Sequence, residues 1–236
     1  DFGHAVPTTQ SSYMQLLHGG RLNDIQLPDN IRWIICTNRK EDRAGANDII
    51  TPVKGRVVVF DVAVSNKAWL DWAIKNHVHP VIVALIRNRG ELLHIWDPKA
   101  PGNTPNPRTW EMASKVLKSG LTPRMQHIAL VGCLGEGTAT EVSAFLEMAG
   151  SLVPTSTVFA DPHNADVPDR ADAQYAITTQ LGIDVENDEF KYEQADKYMS
   201  RLPQDFRAIF HRDVTARNAQ LCETETFHDA MDILQF

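Results

Sequence analysis

The run Ile31-Arg32-Trp33-Ile34-Ile35-Cys36-Thr37-Asn38-Arg39 is apolar and β-branched until it ends on a carboxamide. Further along, Pro52-Val53-Lys54-Gly55-Arg56 sets a basic pair ahead of a second β-rich run, Val57-Val58-Val59-Phe60-Asp61-Val62. In α/β folds, ligands sit just outside the carboxyl ends of parallel strands. An Asn at such a tip can hold a water or a phosphate oxygen. An Arg on a neighbouring rim can reach a phosphate with its rigid fork. Phosphoryl transfer needs positive groups where charge spreads and a polar group that orients the attacking water. Asn38 and Arg56 therefore read as half of a nucleotide triphosphatase site. The other half, a phosphate loop of the form Gly-x-x-x-x-Gly-Lys-[Ser/Thr], does not occur in these residues.

Other constellations carry less. His77-Val78-His79, with His94 nearby, has histidines but no Cys or carboxylate support at ligand spacing. Gly132-Cys133-Leu134-Gly135-Glu136-Gly137 has the look of a nucleotide glycine fingerprint, yet it follows a helix-like segment and reads as a helix–helix turn. Cys36, Cys133 and Cys222 are too scattered for a disulfide scaffold or a thiolate zinc site, and fit a reducing compartment. No Ser/His/Asp or Cys/His order stands out for nucleophilic catalysis.

The elements that must carry these residues follow from periodicity. A helix is expected over 7–18, opened by Pro7 and ended by His18-Gly19-Gly20, then a short hairpin or loop to Asn30. Buried strands are expected at 31–37 and 57–64. From about residue 66 the pattern is helical. Trp69, Trp72, Trp96 and Trp110 are expected core aromatics of that part. Residues 98–107 and 154–169 read as loops, and 184–189 as a solvated acidic loop. Further helices are expected at 109–117, 126–134, 141–152, 171–181, 191–199, 204–217 and about 225–235. The fold class expected is α/β followed by all-α, with domains at 1–65, 66–153 and 154–236.

At 236 residues and 43% apolar content the chain can bury a sizeable core. A net charge of −7 argues against a broad nucleic-acid surface. No run is read as approaching a membrane span of roughly 18–20 apolar residues, and no signal peptide is recognised. The chain opens on Asp1-Phe2-Gly3-His4 without a Met, which reads like the inside of a motif and suggests a fragment or processed product.

Several pieces, in order and spacing, resemble AAA+ ATPases of the MoxR-like and dynein-related branch, in the form found in bacterial and phage genomes. They are Asp1-Phe2-Gly3-His4-Ala5, Thr37 to Gly45, Pro52 to Arg56, Trp69-Leu70-Asp71-Trp72-Ala73, Pro105-Asn106-Pro107-Arg108-Thr109-Trp110 and Gly132 to Gly137. The resemblance covers about residues 1–150. It implies a partial AAA+ core with part of a parallel sheet, a helical lid and a helical C-terminal extension. By position it puts Asp1 on the acidic end of Walker B, as a Mg²⁺ ligand or a water activator. It puts Asn38 on sensor 1, Arg56 on the arginine finger (with Lys54 or Arg43 as alternatives) and Arg108 on sensor 2. The implied ligands are ATP and Mg²⁺, and the implied assembly is a homo-oligomeric ring, hexameric in the family, because the finger acts in trans. A von Willebrand A-domain protein is an implied partner, and the cytoplasm the implied compartment. A reading from a different class is a non-catalytic helical scaffold or oligomerisation module derived from such a protein. These residues alone are expected to bind ATP weakly or not at all.

Overall fold

The computed structural model describes residues 2–38, 45, 47–185 and 188–234. The chain divides into two compact units, Asp1–Ala63 and Val64–Phe236.

In the smaller unit, α1 (Pro7–Ser12) and α2 (Met14–Gly19) meet at Tyr13, and Gly20 closes α2 in the left-handed region at φ 59°. Glycine pays little for that conformation. A two-residue turn with Asn23 at φ 53° then joins β1 (Arg21–Leu22) to β2 (Ile25–Gln26), antiparallel, with Arg21 opposite Gln26 and Leu22 opposite Ile25. The one-turn helix α3 covers Thr51–Lys54. Gln10 is fully buried and ties this unit together. Its Nε2 donates to the carbonyls of Ala5 (3.0 Å) and Asp48 (3.2 Å), and its Oε1 accepts from the Ile50 amide (3.0 Å).

The expected α/β core is corrected here. Among the described residues the only sheet is the β1–β2 pair, and it is antiparallel. Residues 31–38 and 57–64 form no strand. Residues 57–64 make no backbone hydrogen bond with any described part of the chain. From Val58 to Val64 the side chains are left in water, with Phe60 80% and Val62 92% exposed; Ile34 in the first run is 90% exposed. β-propensity describes fitness for a pleated, half-buried surface. Without a ladder and a covering layer, it makes no strand. No parallel sheet of the kind an AAA+ core requires is present among the described residues.

The larger unit is helical. Its elements are α4 (Asn66–Lys75), α5 (Pro80–Asn88), α6 (Pro107–Lys118), α7 (Pro123–Leu134), α8 (Glu136–Gly150), α9 (Thr155–Ala160), α10 (Ala171–Asp184), α11 (Glu189–Met199), α12 (Gln204–Arg217) and α13 (Glu225–Leu234). Helix α5 is apolar on all sides and buried from Val81 to Ile86, as a central helix must be. Around it one core gathers Ile82, Leu93, Trp110, Leu130, Leu134 and Val142. A second core holds Leu181, Tyr192, Tyr198, Met199, Phe210 and Val214. Helix α10 serves both, with Ala176 in the first and Ile177 and Leu181 in the second. A buried ion pair between Arg87 of α5 and Asp213 of α12 (2.5 Å) reinforces the junction, and Arg87 also donates to Thr179 (3.1 Å).

Three local expectations change. The span 154–169 contains α9, started by Pro154, whose carbonyl receives the first helical bonds. Trp69 and Trp110 are core residues, but Trp72 and Trp96 are exposed. One stretch, Glu136–Ala160, is long and apolar enough to cross a membrane by length and composition, with a mean hydropathy of 1.2 over its best window. It is divided between α8 and α9 at Ser151–Pro154, and Ala139, Val142 and Phe145 lie in the first core. Gly132–Gly137 does form a helix–helix turn. Gly135 sits at φ 79°, and a Cβ there would meet the Asn103 carbonyl at 3.2 Å.

Candidate functional site

The residues singled out by chemistry fall in both units. Asp1 lies outside the described residues, as do Arg39 to Ala44 with the alternative finger Arg43. Asn38 is exposed, and its carboxamide has no hydrogen-bond partner among the described residues. Arg56 is exposed just beyond α3, with its Nη1 donating to the Pro52 carbonyl at 2.6 Å. That bond is local and neutral, and Arg56 has no ion-pair partner among the described residues. Asn38 and Arg56 belong to the smaller unit and Arg108 to the larger.

The start of α6 is the most constructed of these places. Asn106 adopts extended backbone and its Oδ1 accepts from the amides of Arg108 (3.0 Å) and Thr109 (3.1 Å). Thr109 Oγ1 accepts in return from the Asn106 amide at 2.9 Å, completing a reciprocal capping box. Pro107 occupies the first turn, where its missing N–H costs nothing. Three residues on, Trp110 is fully buried and its indole N–H donates to the Leu92 carbonyl at 2.9 Å. The turn is thus pinned from both ends. Arg108 between them is exposed, with no ion-pair partner among the described residues. A cation in a first turn opposes the helix dipole, so helix stability does not account for it. An anion bound there would meet the guanidinium, while the amides of Arg108 and Thr109 are already taken by Asn106 Oδ1.

Of the three histidines singled out, His79 is structural. His79 caps α5, its Nδ1 accepting from the Val81 amide at 3.3 Å, while its own amide donates to Ser114 Oγ at 2.9 Å. Burial, then the nearby Lys118 ammonium, lowers the His79 pKa to about 4, so the ring stays neutral. No group of three or more metal-ligating side chains occurs among the described residues.

One polar centre escaped the sequence reading. In the second core, Arg207 makes two bonds to Asp196 (2.7 and 2.8 Å), and His211 Nε2 lies 2.9 Å from the same carboxylate. The Tyr192 hydroxyl closes the chain on His211 Nδ1 at 2.6 Å. Burial works against the Asp196 charge, but the hydrogen bonds from His211 and Arg207 outweigh it and hold its pKa below the ordinary range. Tyr192 is pushed upward by burial and then by the Asp196 charge. The signal was present as two i,i+4 pairs, Tyr192/Asp196 on α11 and Arg207/His211 on α12. Such spacing is common on solvated helices, so it did not announce burial. Every member is satisfied inside a packed core, which makes this a brace between helices.

No family model matches the chain, and no curated protein or solved structure matches it.

Proposed function

We propose that this chain is part of an ATP hydrolase in which Arg108 engages the triphosphate. The single observation that carries the reading is the built N-terminus of α6: a capped, Trp-anchored first turn that presents an uncompensated guanidinium to solvent. Asn38, whose carboxamide has no partner among the described residues, orients the attacking water. Arg56 stabilises charge on the transferring phosphoryl group from a neighbouring protomer, which makes the assembly a homo-oligomeric ring. Asp1 supplies the acid, as metal ligand or water activator, and ATP brings the Mg²⁺ it carries in solution. The work done is remodelling of a partner protein in the cytoplasm, a von Willebrand A-domain protein being one such partner. Residue resemblance and side-chain chemistry support this reading; no sheet architecture is part of it.

The test is ATP turnover by the complete gene product carrying Arg108→Ala, Asn38→Ala or Arg56→Ala. Loss of one transition-state donor lowers kcat on the order of 10²-fold. Unchanged turnover in all three variants overturns the assignment.

A second reading has its own support. The chain lacks a Gly-Lys-[Ser/Thr] phosphate loop, and its larger unit is a helical body with two filled cores. Both fit a non-catalytic scaffold that oligomerises without hydrolysis. That reading predicts no turnover and no MgATP binding by calorimetry for the complete product.

A further inference from the structure

Two surfaces of the helical unit complement each other: one is built on the first core, the other on the second. The first is the outer face of α7. This helix packs its inner side on α6 and α8 through Leu130, Cys133 and Leu134. Its other side is also apolar: Met125 and Ile128 are about half exposed, and Leu121 in the preceding turn is nearly so. Arg124 stands in the same stripe, exposed and without an ion-pair partner among the described residues. On α6, Lys115 is paired with Glu111 (2.7 Å) and Lys118 donates to the His77 carbonyl, so the α6–α7 hairpin carries four cations, counting Arg108 and Arg124, against the single anion Glu111.

The second surface is a groove of about 610 Å³ between α11 and α13. Glu189 and Glu193 line one wall and Glu225 and Asp229 the other. Lys197 is the one cation on its lining, and it is already bonded to Glu193 at 2.7 Å. Exposed Phe190 edges the groove, and Ile233, one turn beyond Asp229, is exposed as well. The α7 face is built on the first core and the groove on the second. Both lie in one compact unit.

We propose that the α7 face of one copy docks into the α11–α13 groove of a second copy, head to tail. The apolar stripe of Met125 and Ile128 meets Phe190 and Ile233, and Arg124 enters among the carboxylates of Glu225 and Asp229. This is helix-in-groove recognition, with contact supplied by the apolar anchors and register by the charges. Because the two surfaces differ, the contact is heterologous and each copy keeps one free face, so assembly continues into a ring or an open filament. The inference does not rest on the nucleotide reading.

The test uses the 236-residue chain and two charge reversals at exposed positions, Arg124→Glu and Asp229→Lys. In analytical ultracentrifugation at low salt, the unaltered chain forms oligomers that dissociate as salt is raised. Each variant alone is monomeric. Mixed in equal amounts they associate again, because the intact groove of Arg124→Glu receives the intact α7 of Asp229→Lys, and the two reversed charges on the remaining faces are themselves opposite in sign. That rescue also shows that both variants are folded. The proposal is overturned if the unaltered chain is monomeric at 100 µM order of concentration in low salt (roughly the weak end of specific association). It is equally overturned if the variants oligomerise as the parent does, or if the mixture stays monomeric.

Discussion

His79 does two jobs at once, and they conflict at low pH. It caps α5 with an unprotonated Nδ1 and sits where burial and Lys118 disfavour its charge. Its pKa falls from 6.5 unfolded to about 4 folded, so the unfolded state binds the proton first. Stability from this residue is complete above about pH 6.5 and is lost as pH falls toward 4. At pH 5 the loss is on the order of 2 kcal/mol. His79→Asn keeps a capping acceptor without the titration. We expect the difference in urea midpoint between pH 7 and pH 5 to shrink in that variant by a corresponding amount. Asp196 gives a larger effect at neutral pH. Asp196→Ala strands Arg207 as an unpaired buried charge, and chemical denaturation should report a loss of about 3–5 kcal/mol. A loss under 1 kcal/mol would show that water reaches the pair freely.

At the scale of elements, caps and pairing decide which segments form. Asn106→Ala removes the acceptor for two first-turn amides of α6, and it should cost about 1 kcal/mol of stability. In the complete gene product it should also weaken turnover, because Arg108 loses its fixed base; a stability change with no change in turnover would separate the cap from the proposed site. The opposite case is residues 57–64. Their amides have no backbone acceptor among the described residues, so hydrogen exchange should proceed near the unprotected rate there. Amides of α5 and α10 should exchange far more slowly in the same sample. Strong protection at 57–64 would mean that a partner supplies the missing ladder. Most helices were legible in advance because Pro starts, capping residues and 3.6-residue periodicity are all local. The short helix α9 was hidden by its flanking Pro and Asp residues, which read as loop.

For the whole molecule, the division at Ala63 leaves both filled cores on one side. Residues 64–236 expressed alone should therefore fold with a single cooperative thermal transition, followed by circular dichroism. Loss of cooperativity would show that the smaller unit contributes to those cores. The Arg87–Asp213 pair, buried at the junction of α5 and α12, couples the two cores energetically, so they should melt together rather than in two steps.

What the sequence settled by itself was helix content after residue 66, the Pro- and Asn-led start of α6, the turn at Gly135 and the absence of a phosphate loop. Each depends on side chains within a few positions of one another. Tertiary structure alone decided that two strongly β-forming runs make no sheet, since a strand exists only through a neighbour that no stretch of its own sequence specifies. It also decided which tryptophans are buried, and it converted two ordinary i,i+4 pairs into the closed Tyr192–His211–Asp196–Arg207 brace. Burial and pairing are properties of distant segments brought together, and spacing along the chain does not contain them.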